Sequence, residues 1–110
     1  MSQLKGFQKT YLRGLAHSLK PVVQIGQRGL AEGTVEEISQ ALERHELIKV
    51  KFNAVKDKEL KLGLAAEIAQ ATACDLVGVI GHVSIFYRRQ PDPEKRQIRV
   101  PLREARSGGA

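Results

Sequence analysis

Apolar residues recur at three- and four-residue steps through residues 3–17. Leu4, Phe7, Tyr11, Leu12 and Leu15 mark one side of an amphipathic helix. Pro21 suits the first position of a strand, and residues 22–25 (Val-Val-Gln-Ile) read as a short one that Gly26 ends. Thr34 and Glu37 have capping-box spacing, which predicts a helix from Thr34 to about His45, with a start nearer Leu30 left open. Its apolar stripe is Val35, Ile38, Ala41 and Leu42. Residues 47–53 alternate. Ile48, Val50 and Phe52 point one way, while Leu47, Lys49, Lys51 and Asn53 point the other, so the strand is half-buried. Asp57 is placed to cap a helix over 58–72, with Leu60, Leu64 and Ile68 on one face. Residues 74–80 and 83–88 are two further strands, and Gly81-His82 fits the two-residue turn of a hairpin.

The predicted order is α-β-α-β-α-β-β. Helices between strands favour parallel neighbours, and the final hairpin is antiparallel. The fold class is therefore α/β, a single domain with a four-stranded mixed sheet packed with helices. Residues 89–110 follow as a separate basic tail, expected to be mobile until something orders it. Pro91 and Pro93 open it, and it ends in Ser107-Gly108-Gly109-Ala110.

Composition sets bounds. A chain of 110 residues, 42% hydrophobic and 27% charged, has the make-up of one globular domain. It carries no apolar run of membrane-span length and no signal-peptide pattern, so the expected location is the cytoplasm. One cysteine, Cys74, forms neither an internal disulfide nor a multi-thiolate metal site, and it reads as a structural thiol. No cysteine–histidine cluster or nucleophile motif is present, and His17, His45 and His82 stand apart in sequence. The reading is a non-catalytic protein without metal or cofactor, acting as a monomer.

Charge changes the picture more. Residues 1–31 carry five basic side chains (Lys5, Lys9, Arg13, Lys20 and Arg28) and no carboxylate. The middle of the chain is mildly acidic, and residues 88–110 are basic again. Lys5, Lys9 and Arg13 fall at four-residue steps and form a basic stripe on the first helix. Such a stripe is ordinarily a solvated face, but here no acid interrupts it. Within this basic region Gly26-Gln27-Arg28-Gly29 lies between a strand and a helix start. Two glycines let a backbone approach a phosphate, Arg28 offers a guanidinium fork, Gln27 a donor, and the helix behind its positive dipole end. Lys49 and Lys51 extend the surface if their sheet face is open. The aromatics Phe7, Tyr11, Phe52, Phe86 and Tyr87 read mostly as core, so no stacking platform is expected and base specificity is weak.

Several strings occur together: Gly14-Leu15-Ala16-His17, Leu19-Lys20-Pro21-Val22-Val23, Gly26-Gln27-Arg28-Gly29-Leu30 with Glu32-Gly33, His45-Glu46-Leu47-Ile48-Lys49-Val50-Lys51, Val79-Ile80-Gly81, and Tyr87-Arg88. In this order they resemble the YhbY family of bacterial proteins, stand-alone CRM (chloroplast RNA splicing and ribosome maturation) domains. The resemblance spans about residues 3–88, which gives a CRM domain over 1–88. It implies a fold similar to the C-terminal domain of translation initiation factor three. It also implies RNA binding by the GxxG loop, much as in KH domains, and a part in assembling the large ribosomal subunit. The tail extends past the usual end of the family. Two other readings are an Alba-like protein coating DNA or RNA, and a protein adaptor on ribosomal complexes.

Overall fold

The computed structural model describes residues 4–26, 29–53 and 55–102. Helix α1 is Gly6–Ala16, strand β1 Pro21–Ile25, helix α2 Glu32–His45 and strand β2 Leu47–Phe52. Helix α3 is Lys58–Ala71, strand β3 Asp75–Ile80 and strand β4 Val83–Tyr87. The four strands form one sheet in the order β1-β2-β4-β3. β1 and β2 are parallel, joined by the α2 crossover, and the other two pairings are antiparallel. The predicted mixed sheet is the one observed.

Two apolar clusters hold the layers together. On one side, Ile38 and Leu42 of α2 and Ala65 and Ile68 of α3 pack on Val23, Ile25, Ile48, Val50, Phe52 and Phe86. On the other, Leu12 and Ala16 of α1 pack on Leu47, Val77, Ile85 and Tyr87. The helix phases differ from the sequence expectation. In α1 the fully buried residues are Leu12 and Ala16, whereas Tyr11 and Leu15 remain 42% and 39% exposed. The small Ala16 side chain lets the helix sit close to the sheet. In α3 the buried line is Lys61, Ala65 and Ile68, and Leu60 is exposed. Again an alanine at the centre sets which side approaches. Helix α2 begins at Glu32, with Ala31 and not Thr34 at the N-cap. The amides of Thr34 and Val35 both donate to the Ala31 carbonyl, which starts the helix two residues before Thr34.

Leu47 was expected on an open face and is buried. Leu12 and Ala16 of α1 pack on it, and the tail adds to that cover. Ile98 and Val100 lie against the α1 cluster, and Gln8 Nε2 of α1 donates to the Pro101 carbonyl at 2.9 Å. Asp92 caps the 3-10 turn Pro93–Lys95. Glu46 then ties this segment to the sheet. It sits just after α2 with φ +63°, a backbone cost that surrounding contacts must offset. Its carbonyl accepts the Arg88 amide at 2.8 Å, and its buried carboxylate accepts the Gln97 amide. Residues 89–102, where a mobile segment is predicted from sequence, are thus laid along the domain.

Asp57 caps α3 as expected, its Oδ1 accepting the amides of Glu59 at 2.8 Å and Leu60 at 3.4 Å. Replacing it, Asp57→Ala, should lower stability by about 1 kcal/mol in urea melts. Ending the chain at residue 88 should cost more, about 2–4 kcal/mol. It removes the apolar cover of Ile98 and Val100 and leaves the Glu46 carboxylate without its amide. Equal urea midpoints for the short and full chains would show that the tail docking contributes nothing.

Candidate nucleic-acid interface

β1 delivers the chain to Gly26 at the end of the sheet. The Gly29 amide returns to the Gly26 carbonyl at 3.1 Å, closing a four-residue turn. Gln27 and Arg28, the two central residues predicted for the site, lie outside the described residues. The two glycines serve differently. Gly29 has φ +72°, a conformation that L side chains rarely adopt. Gly26 has no such angle, and a Cβ on it would meet nothing within 4 Å. The turn feeds α2 directly, and Ala31 has no polar side chain to cap the first amides of that helix.

Backbone bonds stitch this turn to its neighbours. The Asn53 amide donates to the Ile25 carbonyl at 2.7 Å, and the Phe52 amide donates to the His82 carbonyl at 2.7 Å. Asn53 Nδ2 also donates to Gln24 Oε1. The glycine turn and the Gly81-His82 turn therefore share one end of the sheet. The pairing registers place Gln24, Lys51, Val83 and Ile80 in a row across all four strands there. α1 and the tail cover the same sheet face further back but leave this row open. Gln24 and Lys51 are exposed, and Ile80 is 60% exposed.

The predicted basic residues do not all gather at this end. Lys51 does. Lys49 lies two residues back, paired with Pro21, and its Nζ donates to the His17 carbonyl at 3.3 Å. That contact places a cation at the C-terminal end of α1, where the dipole favours it. Lys20 precedes β1 and so lies the length of that strand away from Gly26, about 20 Å. Arg13 reaches over β3, where Gly78 has no side chain. A Cβ there would sit 3.3 Å from Arg13 Cδ, and the guanidinium bonds Thr10 Oγ1 at 3.1 Å. Lys5 caps the start of α1, near the docked tail, and Lys9 is half-buried one turn later.

Sequence reasoning missed Lys56, Lys58, Lys61 and His82. The β2–α3 connection leaves the sheet at Asn53, so Lys56 and Lys58 are exposed close to the turn end. Asp57 and Glu59 alternate with them in sequence and hide their charge in any regional sum. Lys61 is buried, and its Nζ donates to the Gly81 carbonyl at 3.0 Å. Among the described residues no lysine, arginine or histidine is paired with a carboxylate, so the basic side chains keep their charge available.

Other chemistry finds less support. Among the described residues no cluster of three or more histidine, cysteine or acidic side chains could hold a metal. Cys74 is half-buried at the start of β3, and burial pushes its thiol pKa up, against nucleophile formation. None of the described helices is long and apolar enough to cross a membrane.

The chain is similar to known proteins over most of its length. A protein from Haemophilus influenzae named "RNA-binding protein" is 44% identical over 101 residues, covering 92% of this chain and 98% of that one. The Bacillus subtilis protein named "Probable RNA-binding protein YqeI" is 35% identical over 100 residues, covering 89% and 99%. The solution structure of SAV1595 from Staphylococcus aureus superposes with a TM-score of 0.78 at 38% identity, covering 90% of this chain and all of that one. The model of the CRS1 / YhbY (CRM) domain matches residues 4–88, and the chain belongs to that family.

Proposed function

We propose that this protein binds RNA by its sugar–phosphate backbone, holding it at the Gly26–Gly29 turn and along the open row beside it. The observation that carries the reading is the closed turn. Gly26 stands in open space where a side chain would meet only an incoming ligand, and the uncapped start of α2 lies directly behind. Two relatives whose names state RNA binding, matched over nearly their full lengths, support the choice of RNA. Arg28 supplies the fork for phosphate oxygens and Gln27 a donor for a phosphate or 2′-hydroxyl. Lys51 continues the contact on the sheet, and Arg13 extends it across β3.

The proposal extends to the target. The family resemblance makes ribosomal RNA, within precursors of the large subunit, the natural ligand, with the protein acting in the cytoplasm as a non-catalytic assembly factor. Backbone contacts without an aromatic platform suit a ligand recognised by shape and position more than by base identity.

Binding to labelled ribosomal RNA fragments tests this. If roughly five phosphates are neutralised, the slope of log affinity against log salt should be about −3 to −4, at ~0.7 per phosphate for single strands. Arg28→Glu should weaken binding by at least about tenfold, or ~1.4 kcal/mol, while the melting temperature stays close to wild type. Duplex DNA competing as well as RNA at equal salt would argue for a general coating protein.

The two glycines should separate in the same assay. Gly29→Ala should destabilise the fold by about 1–2 kcal/mol, because of its positive φ. Gly26→Ala should leave the urea midpoint unchanged and still weaken RNA binding. Full affinity in Gly26→Ala would mean that the backbone does not pass against that residue.

A further inference from the structure

We propose that the Gly81-His82 turn is a second phosphate-contact point, with His82 as the contact and Lys61 as its positioning residue. This rests on the RNA-binding reading above and names a part of the site outside the GxxG loop.

The argument begins with a buried cation. Lys61 is only 7% exposed, at the close of the first turn of α3. Its ammonium donates to the Gly81 carbonyl at 3.0 Å and lies 3.4 Å from His82 Nδ1. No carboxylate among the described residues pairs with it. A desolvated charge held only by neutral groups lacks its counter-ion, and an anion arriving at the turn would supply one.

The same contact bears on the histidine, whose ring-nitrogen roles follow its tautomer. An ammonium has donors and no acceptor, so Nδ1 must accept. In the neutral ring the proton then sits on Nε2. His82 is exposed at the tip of the hairpin, and its Nε2–H has no acceptor among the described residues. With Lys61 at Nδ1, the ring's remaining donor is Nε2–H, carried by an exposed residue, and an N–H donor is the group a phosphate oxygen needs. Gly81 has φ +60°, and a Cβ there would meet nothing within 4 Å, so the turn is also open to close approach.

Position completes the case. The Phe52 and Asn53 amides bond consecutively to His82 and Ile25, so the two turns flank the end of β2. Two strand spacings, roughly 10 Å, separate β1 from β4. One RNA strand lying across the end of the sheet can touch both turns.

The test uses the full chain and a labelled single-stranded RNA of mixed sequence. His82→Glu, at an exposed turn position, should weaken binding by about tenfold with an unchanged melting temperature. His82→Ala should weaken binding less than His82→Glu and leave the salt slope unchanged, because a neutral imidazole displaces no counter-ion. Nitrogen-15 NMR of the imidazole should show the Nε2–H tautomer in wild type and a shift of Nε2 on adding RNA. In Lys61→Met the tautomer preference should relax, a change that loss of packing alone would not produce. Wild-type affinity in His82→Glu, with Arg28→Glu still impaired, would overturn the second contact and leave the loop reading standing. Wild-type affinity in both would remove loop and turn together.

Discussion

The candidate site depends on the parallel pairing of β1 with β2. β1 is an edge strand, bonded on one side only, and its last residue Ile25 is aligned with Phe52. One more bond, from the Asn53 amide to the Ile25 carbonyl, continues the pairing to the point where the glycine turn begins. Because β1 returns to β2 through a helix, the turn must open at the carboxyl end of the strand, with the start of α2 behind it. Open α/β sheets place ligands at that end for the same reason. A slip of β1 by one residue in this register would carry Gln24 to the opposite face and bury it under the helices there, while bringing Val23 and Ile25 into the open.

The two ends of the sheet use their polar groups in opposite ways. At the end where β2 begins, donors and acceptors are turned inward. Arg88 bonds Ser39 Oγ at 3.0 Å, the Ser39 carbonyl at 2.7 Å and the Thr72 carbonyl at 2.9 Å, and so ties α2 to the end of α3. Glu46 joins α2 to the tail. At the end where β2 finishes, Lys51, Lys56, Lys58 and His82 are exposed, and Lys61 is spent on holding a turn rather than on a counter-charge.

Much of this was legible in the sequence, and the exceptions have physical causes. Seven elements announced themselves by period, turn residues and the Asp57 cap, because those signals are local. The phases of α1 and α3 did not, because the residues nearest the sheet are Ala16 and Ala65, and hydrophobic pattern weighs large side chains over small ones. The burial of Leu47 was invisible because its cover comes from Leu12 and Ala16 of α1 and from the tail segment with Ile98 and Val100, all distant in the chain. The glycine turn was readable as a contiguous string. The Lys61–His82 pair was not, since three separate segments, at 52–53, 61 and 81–82, meet only in the folded chain.

The GxxG string hides one further distinction. As sequence, its glycines are equivalent. In the fold, Gly29 answers an internal demand, a positive φ that turns the chain into α2 above Leu64. Gly26 answers none: its φ is not positive, and a Cβ on it would meet nothing within 4 Å. Folding alone therefore explains half of the motif. The other half concerns clearance toward solvent, at the point where the strand end, the helix start and the exposed lysines converge. A backbone that carries charge on its outer edge, and no bulk against the turn, is the ligand that such clearance fits.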